Sequence, residues 1–478
     1  MARLFRHYIP RFLLLTTILD TLVVVALVQV GLLLPLGRLS PSIPVDARTL
    51  IGATLLGLLV VVMNEIVGLY EFRREFGRRE LMVRLAAAFA GAYLAFGFVA
   101  YLVHFVQVGR KAFIFSFVTG LPALLLLRTV AERIWVDQRR RQTVLLLGAG
   151  SVSRSVAQAI QAAPDAYELL GCLGSATERT DSPELPCLGT LDDLDWFSKL
   201  TRPDVIVVAL EERRGSLPVS EIVECKLRGV QVEDWPSFYE KVSGKIPITN
   251  LRPSWLVFAD GFTKPRLTII FKRALDMVGS LGGLILMLPV LAAAAALIRW
   301  DSRGPVFFRQ ERLGQYGRVY SVFKFRSMRV DAHQMPAPKD GEPDPRVTRV
   351  GRWLRRTRID ELPQLINVLL GEMSLVGPRP EWVALVPEFR QKVPLYLHRL
   401  AAKPGITGWA QVKNPYGSTV ENTLEKLQYD LYYIKNMSLF LDVLILLHTI
   451  QIVLFTRGSG GWTVNQQAES TTFVSYAG

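Results

Sequence analysis

The stretch "RIDELPQLINVLLGEMSLVGPRP" (358–380) sets two adjacent carboxylates, Asp360 and Glu361, behind a run of arginines and closes on an arginine between two prolines. Arg352, Arg355, Arg356 and Arg358 precede the acids, and Pro363 follows them. Proline is tolerated in the first turn of a helix. The pattern therefore predicts a helix that starts near the acids and ends at Gly371. Its predicted buried face is Leu365, Ile366, Leu369 and Leu370. A helix start and nearby guanidinium groups both favour an anion, so Asp360 is expected to ionise more readily than an ordinary aspartate. Such a carboxylate is a poor general acid, but it can attack phosphorus or hold a metal ion. Arginines beside it can clamp phosphate oxygens through paired hydrogen bonds. On these residues alone, a surface ion-pair cluster that caps a helix is the open alternative.

Other polar groups punctuate the same region. "VFKFRSM" places Lys324 and Arg326 two apart on a predicted strand, hence on one face. Arg379 lies between Pro378 and Pro380, which restrict its backbone. "KPGITGWAQV" adds Lys403, Trp409 and Gln411, and "QYDLYYIKN" adds Asp430, Tyr432 and Tyr433. Tight turns or core packing explain any one of these taken singly. The histidines (His7, His104, His333, His398 and His448) show no metal-ligand or Ser–His–Asp spacing, and no complete phosphate-binding Walker loop is present.

The elements that must carry these groups begin in the membrane. Half of the 478 residues are hydrophobic, and the net charge is +14. The basic residues are spread along the chain, which favours anionic lipid or phosphorylated substrates over nucleic acid. Four apolar segments, at about 10–36, 48–70, 81–107 and 111–135, are each long enough to span a bilayer. The basic start lacks a small-residue cleavage site, so the first segment reads as an anchor. Arginines cluster before the first segment, between the second and third (Arg73, Arg74, Arg78, Arg79) and after the fourth (Arg133, Arg139, Arg140, Arg141). That alternation predicts a cytoplasmic location for both ends of the bundle. Asp20 lies inside the first segment, where a carboxylate serves either function or a helix partner. The cysteines Cys172, Cys187 and Cys225 lack ligand spacing and imply no disulfide framework.

"TVLLLGAGSVSRSVAQAIQ" then reads as strand, glycine turn and helix, and "PDVIVVAL" as a second buried strand. Alternating strands and helices predict a parallel α/β sheet. The turn is a partial dinucleotide fingerprint (Gly148, Gly150, Ser153), and no acid is evident at the end of the next strand. A regulatory or assembly role is expected of this domain, with a working nucleotide site as the alternative. The uncharged run Met277–Ile298 is flanked by Lys272, Arg273, Arg299 and Arg303, and it contains Pro289. Basic flanks on both sides and a mid-segment proline favour a helix that bends back to the side it entered. "LFLDVLILLHTIQIVLF" (439–455) is read as an interfacial or core helix, and the polar tail after it as loosely ordered.

From about Lys272 to Asn436 the motifs "KRALDMVGS", "KFRSM", "DELPQLINVLLGEMSLVGPRP", "KPGITGWAQV" and "YDLYYIKN" occur in order. This segment resembles the bacterial polyprenol-phosphate sugar-1-phosphate transferases, the monotopic phosphoglycosyl transferases. With four helices and a Rossmann-like domain in front, the chain resembles the large subgroup that initiates exopolysaccharide, capsule or O-antigen repeat units. The resemblance implies a four-helix transmembrane bundle (1–140), a Rossmann-like α/β domain (141–262) and a mixed α/β catalytic domain (263–478) with a re-entrant helix at about 270–300. It implies transfer of sugar-1-phosphate from a UDP-sugar, with a hexose expected, to undecaprenyl phosphate, with release of UMP. Asp360 is the implied nucleophile of a covalent phosphosugar intermediate. Glu361 is its partner toward Mg²⁺ or a proton, so both acids are implied metal ligands. Arg355, Arg379 and Lys324 are implied phosphate contacts, and Pro289 the re-entrant break. The family breaks that helix at a serine–proline pair, whereas this chain has Leu288–Pro289. A homodimer, the cytoplasmic face of the inner membrane and no nucleic acid complete the expectation. The rival class, a membrane-anchored nucleotide-sugar dehydratase or epimerase, needs a complete glycine fingerprint and a Tyr-x-x-x-Lys pair, and neither is evident.

Overall fold

A computed structural model describes residues 2–4, 7–9, 11–34, 46–70, 77–103, 108–137, 141–174, 185–211, 217–249, 251, 253–330, 332, 335, 344–414 and 420–455. The expected loose tail, Arg73, Arg74, Arg139, Arg140, His104 and His333 lie outside these residues. A short antiparallel pair, β1 (Ala2–Leu4) and β2 (His7–Ile9), precedes the helices α1 (Arg11–Leu33), α2 (Ala47–Ile66), α3 (Arg78–Leu102) and α4 (Arg110–Asp137). These helices match the four apolar segments and are long and apolar enough to cross a membrane. They share one apolar core that includes Val24, Leu56, Leu85, Phe89 and Leu124. Asp20 is buried in that core, and its Oδ2 accepts from Tyr70 (2.6 Å), Asn64 (3.2 Å) and Arg128 (3.2 Å). The carboxylate inside the first apolar segment therefore has side-chain partners, as the cost of burying a charge requires.

The α/β elements follow in order: β3 (Gln142–Leu147), α5 (Ser151–Gln161), β4 (Tyr167–Gly174), β5 (Cys187–Thr190), α6 (Leu194–Thr201), β6 (Val205–Val208), α7 (Val219–Leu227), β7 (Gln231–Asp234) and α8 (Trp235–Ser243). The strands form a parallel sheet of order β5-β4-β3-β6-β7. Separate apolar clusters cover its two faces. A strand buried on both sides is apolar throughout, and every residue of β6 is buried. This is the expected Rossmann-like arrangement.

The remaining elements are α9 (Pro253–Phe258), α10 (Arg266–Asp301), β8 (Phe307–Leu313), β9 (Val319–Phe325), α11 (Arg349–Thr357), α12 (Gln364–Leu370), β10 (Ser374–Val376), α13 (Val386–Lys392), β11 (Gly405–Thr407), α14 (Trp409–Lys413), α15 (Val420–Asn436) and α16 (Leu439–Phe455). The chain packs as two compact units. Residues 1–263, 390–398 and 416–437 form one, and residues 264–389, 399–415 and 438–478 the other. The "YDLYYIKN" helix, α15, thus packs with the α/β sheet. Glu240 of α8 accepts from Lys435 (2.5 Å) and Asn436 (2.7 Å), and the backbone of Ile246 donates to Gln428.

In the second unit, α10 is one continuous helix with Pro289 inside it. Only Asp276, Ser280, Ala294 and Ile298 of this helix are buried. Near its start, Arg273 donates to the last carbonyls of α12, at Val368 (2.6 Å) and Leu369 (2.8 Å). Asp276 accepts from the Ser374 hydroxyl (2.9 Å) and the Leu375 N–H (2.9 Å). Near its end, Ala294 and Ile298 pack with Phe325 and Leu354. Helix α16 buries Leu441, Asp442, Ile445 and Gln451, with Asp442 paired to Lys272 at 2.7 Å.

Candidate active site

Two local devices set the Asp–Glu pair. Helix α11 begins at Thr348, whose hydroxyl accepts from the Gly351 N–H. It ends at Arg358, which adopts a left-handed backbone (φ 58°, ψ 13°). That reversal starts a single 3-10 turn, Ile359–Glu361, which carries both acids immediately ahead of α12. Helix α12 closes at Gly371 (φ 85°) as expected, because glycine adopts this geometry without a side-chain clash. Its buried face differs from the expectation. Leu365 and Val368 are buried with the polar Gln364 and Asn367, whereas Ile366 and Leu370 are exposed. Asn367 is a fold contact that the helical pattern alone assigns to no partner. Its amide accepts from the Phe323 N–H (3.0 Å) and donates to the Ser321 carbonyl (2.8 Å) and Glu372 (2.7 Å). Asn367 thereby fixes α12 against β9, the strand that carries Lys324.

Glu361 is the anion at the centre. Its Oε1 accepts from Lys324 Nζ at 3.1 Å and from Arg379 Nη2 at 3.1 Å, and Arg358 lies 4.0 Å from Oε2. Burial opposes its charge, but Arg379 and Lys324 outweigh that cost and hold its carboxyl at about 2. Asp360 behaves in the opposite way. It is buried, and its Oδ1 has no hydrogen-bond partner. Burial, then the neighbouring Glu361 charge, raise its pKa, although Lys324, Arg355 and Arg358 pull the other way. The expected lowering at Asp360 is therefore corrected. The cations belong to Glu361, and Asp360 faces a like charge in a desolvated position. A carboxylate with its charge poorly compensated is a better nucleophile than a well-paired one.

The structure thus brings Asp360, Glu361, Lys324 and Arg379 together. Arg355 also stands close enough to act on Asp360 electrostatically, while its Nε donates to Ser327 Oγ at 2.8 Å. Arg326 departs from the expected shared face with Lys324. Strand β9 ends at Phe325, and Arg326 instead donates to Ser302 (2.7 Å) and the Arg303 carbonyl (3.1 Å) at the end of α10. Two further arginines, absent from the motif reading, hold the proline-flanked loop. Arg399 donates to the Arg379 carbonyl (3.3 Å) and to Glu381 (2.9 Å), and Arg312 donates to the Pro380 carbonyl (3.2 Å). The parallel pairing of β10 and β11 anchors the same loop from below. Among the described residues no three His, Cys, Asp or Glu side chains gather as a metal cluster. The free Asp360 Oδ1 and the adjacent Glu361 are the hard oxygen ligands available here.

A buried Asp360 and a Glu361 paired with cations thus stand in the same unit as α10, a long apolar helix. Residues 267–456 match the family described as "Bacterial sugar transferase", and residues 65–223 the family described as "CoA-binding domain". The UDP-glucose:undecaprenyl-phosphate glucose-1-phosphate transferase of Xanthomonas campestris pv. campestris is 31% identical over 95% of this chain and 96% of its own length. The chain belongs to the polyprenol-phosphate sugar-1-phosphate transferases, a family of phosphoglycosyl transferases. The undecaprenyl-phosphate glucose phosphotransferase of Komagataeibacter xylinus is 33% identical over 68% of the chain and 61% of its own length. A UDP-N-acetylgalactosamine-undecaprenyl-phosphate N-acetylgalactosaminephosphotransferase of Aeromonas hydrophila is 41% identical over 50% of the chain. The chain spans 56% of that protein's length.

Proposed function

We propose that this protein transfers sugar-1-phosphate from a UDP-sugar to undecaprenyl phosphate at the cytoplasmic face of the inner membrane, as the first membrane step of exopolysaccharide, capsule or O-antigen synthesis. The observation that carries this reading is the contrast within the acid pair. Glu361 is neutralised by Lys324 and Arg379, and Asp360 keeps a buried oxygen without a partner. An Asp360 oxygen attacks the sugar-linked phosphorus of the donor. The bond from that phosphorus to the bridging oxygen breaks, UMP leaves, and a phosphosugar–aspartate remains. An oxygen of the lipid phosphate then attacks the same phosphorus and frees the Asp360 carboxylate. Arg379, Lys324 and Arg355 bind phosphate oxygens, and Glu361 holds the two nearer cations in place. Mg²⁺, held by Asp360 and Glu361 with the donor phosphates, would screen charge repulsion between carboxylate and diphosphate. A hexose donor is expected, since two of the relatives described above are named for glucose, and the third is named for an N-acetylhexosamine.

Helices α1–α4 are read as a transmembrane bundle and α10 as re-entrant, with its bend at Pro289. The support is that both flanks of α10 pack on the same unit, through Arg273 and Asp276 at one end and Ala294 and Ile298 at the other. The partners are the UDP-sugar, undecaprenyl phosphate, membrane lipids and a second copy of the chain. The test uses a donor labelled in its sugar and quenched before acceptor is added. Wild type should carry label on Asp360, and Asp360→Asn none. Label retained by folded Asp360→Asn protein would sink the nucleophile assignment.

A further inference from the structure

We infer that the α/β domain takes no phosphate-bearing nucleotide in its native state, because the chain's own Glu211 carboxylate fills the position that a pyrophosphate would occupy. In doubly wound sheets the ligand sits outside the carboxyl ends of the strands, where the strand order reverses. Here the order reverses between β3 and β6. The crevice therefore lies between the Gly148–Gly150 turn and the residues that follow β6. The match of residues 65–223 to a CoA-binding family implies a phosphate-bearing ligand in that place.

The residues present do not fit one. A pyrophosphate binds there through the first free N–H groups of the helix that follows the glycine turn. At the start of α5, Glu211 Oε1 already accepts from the Ser151 N–H (3.0 Å) and the Ser151 hydroxyl (2.7 Å). The Ser151 hydroxyl and the Ser151 and Val152 N–H groups hold the Glu211 carboxyl below its usual range. The carboxylate supplies the negative charge that the helix start favours. It also fills the space, since a Cβ at Gly150 would stand 2.8 Å from Glu211 Oε1. The neighbouring ends of β3 and β6 also pack closely. Gly148 adopts φ +121°, and a Cβ there would stand 2.7 Å from the Ala209 carbonyl oxygen. Ser153, at the third fingerprint position, is buried and donates to the Gly148 carbonyl (2.7 Å), tying the turn to its helix. At the end of β4, a Cβ on Gly174 would stand 2.9 Å from the Ala149 side chain. The glycines here serve contact between two parts of the chain, and the helix start is satisfied from within.

The test uses the full chain in nanodiscs, titrated calorimetrically with CoA, NAD and pyrophosphate up to about 1 mM, the weak end of specific affinity. Wild type should show no saturable binding of CoA or NAD, and pyrophosphate should bind it only at the Asp360 site. Glu211→Ala frees the α5 donors and should add a second pyrophosphate site, at least tenfold tighter than the limit of about 1 mM. Glu211→Gln keeps the shape and drops the charge, so it should gain affinity in the same direction and serves if the Ala variant does not fold. Saturable binding of CoA or NAD by wild type would overturn the inference. So would a folded Glu211 variant with no gain for pyrophosphate.

Discussion

Replacing Glu361 by Gln removes one negative charge from between two cations and leaves the side chain's size unchanged. Its carboxyl is moved from an ordinary 4.5 to about 2, and its side chain is only 12% exposed. At about 1.4 kcal/mol per pKa unit, the folded state favours the charged form by about 3 kcal/mol. The sign follows from the lowered value. This stability is complete above pH ~4.5 and is lost as pH falls from there toward ~2. At neutral pH the Gln variant should therefore melt lower by about 6–12 °C, taking about 2–4 °C per kcal/mol for a domain of this size. Near pH 2.5 the two proteins should converge, because wild-type Glu361 is then losing its charge. A second effect falls on Asp360, whose raised pKa owes its second-largest part to Glu361. The acid limb of the rate profile for UMP release should move to lower pH in the variant. Thermal unfolding in detergent, followed at neutral pH and at pH 2.5–4.5, checks the first effect, and a pH–rate profile the second. A variant as stable as wild type at neutral pH, or a loss that does not shrink with acid, would refute the central role of the Glu361 charge.

Other perturbations test the supporting contacts. Arg399→Lys keeps the charge but loses the fork that reaches both the Arg379 carbonyl and Glu381. It should raise KM for the donor severalfold while kcat is nearly kept, and a fall in kcat alone would contradict the positioning role. Asn367→Ala strands the Phe323 N–H, the Ser321 carbonyl and Glu372. It should cost about 3 kcal/mol by thermal unfolding, in line with buried polar groups left unpaired. In the α1–α4 core, Arg128→Met leaves Asp20 buried with the Tyr70 and Asn64 hydrogen bonds and without its cation, a loss of about 3–5 kcal/mol. Adding Asp20→Asn to that variant should recover part of it, and equal melting temperatures for the single and double variants would show that the two do not act as a pair.

Much of this protein was legible along the chain because the signals are local. Four long apolar runs gave four long helices, and the "TVLLLGAGSVS" run gave strand, glycine turn and helix where it was expected. Gly371 ended α12 because helix ends are set by the residue at the end itself. The order of the motifs was enough to point to the family. What the sequence left open depends on contacts far apart in the chain. The pKa of Asp360 turned on which acid the cations reach, and Lys324 and Arg379 come from segments on either side of the pair to meet Glu361. Whether Arg326 shares a face with Lys324 depended on where β9 stops, and that was set by the end of α10. Helix α12 buries Asn367 because β9 and Glu372 offer its amide partners, which no apolar periodicity encodes. The partial glycine fingerprint could not show that Glu211, sixty residues on, closes it. Sequence determined the elements and the residue types at the site, because propensity and hydrophobic spacing act within a few residues. Tertiary structure decided which acid is paired and which is left bare, because burial and charge act across space.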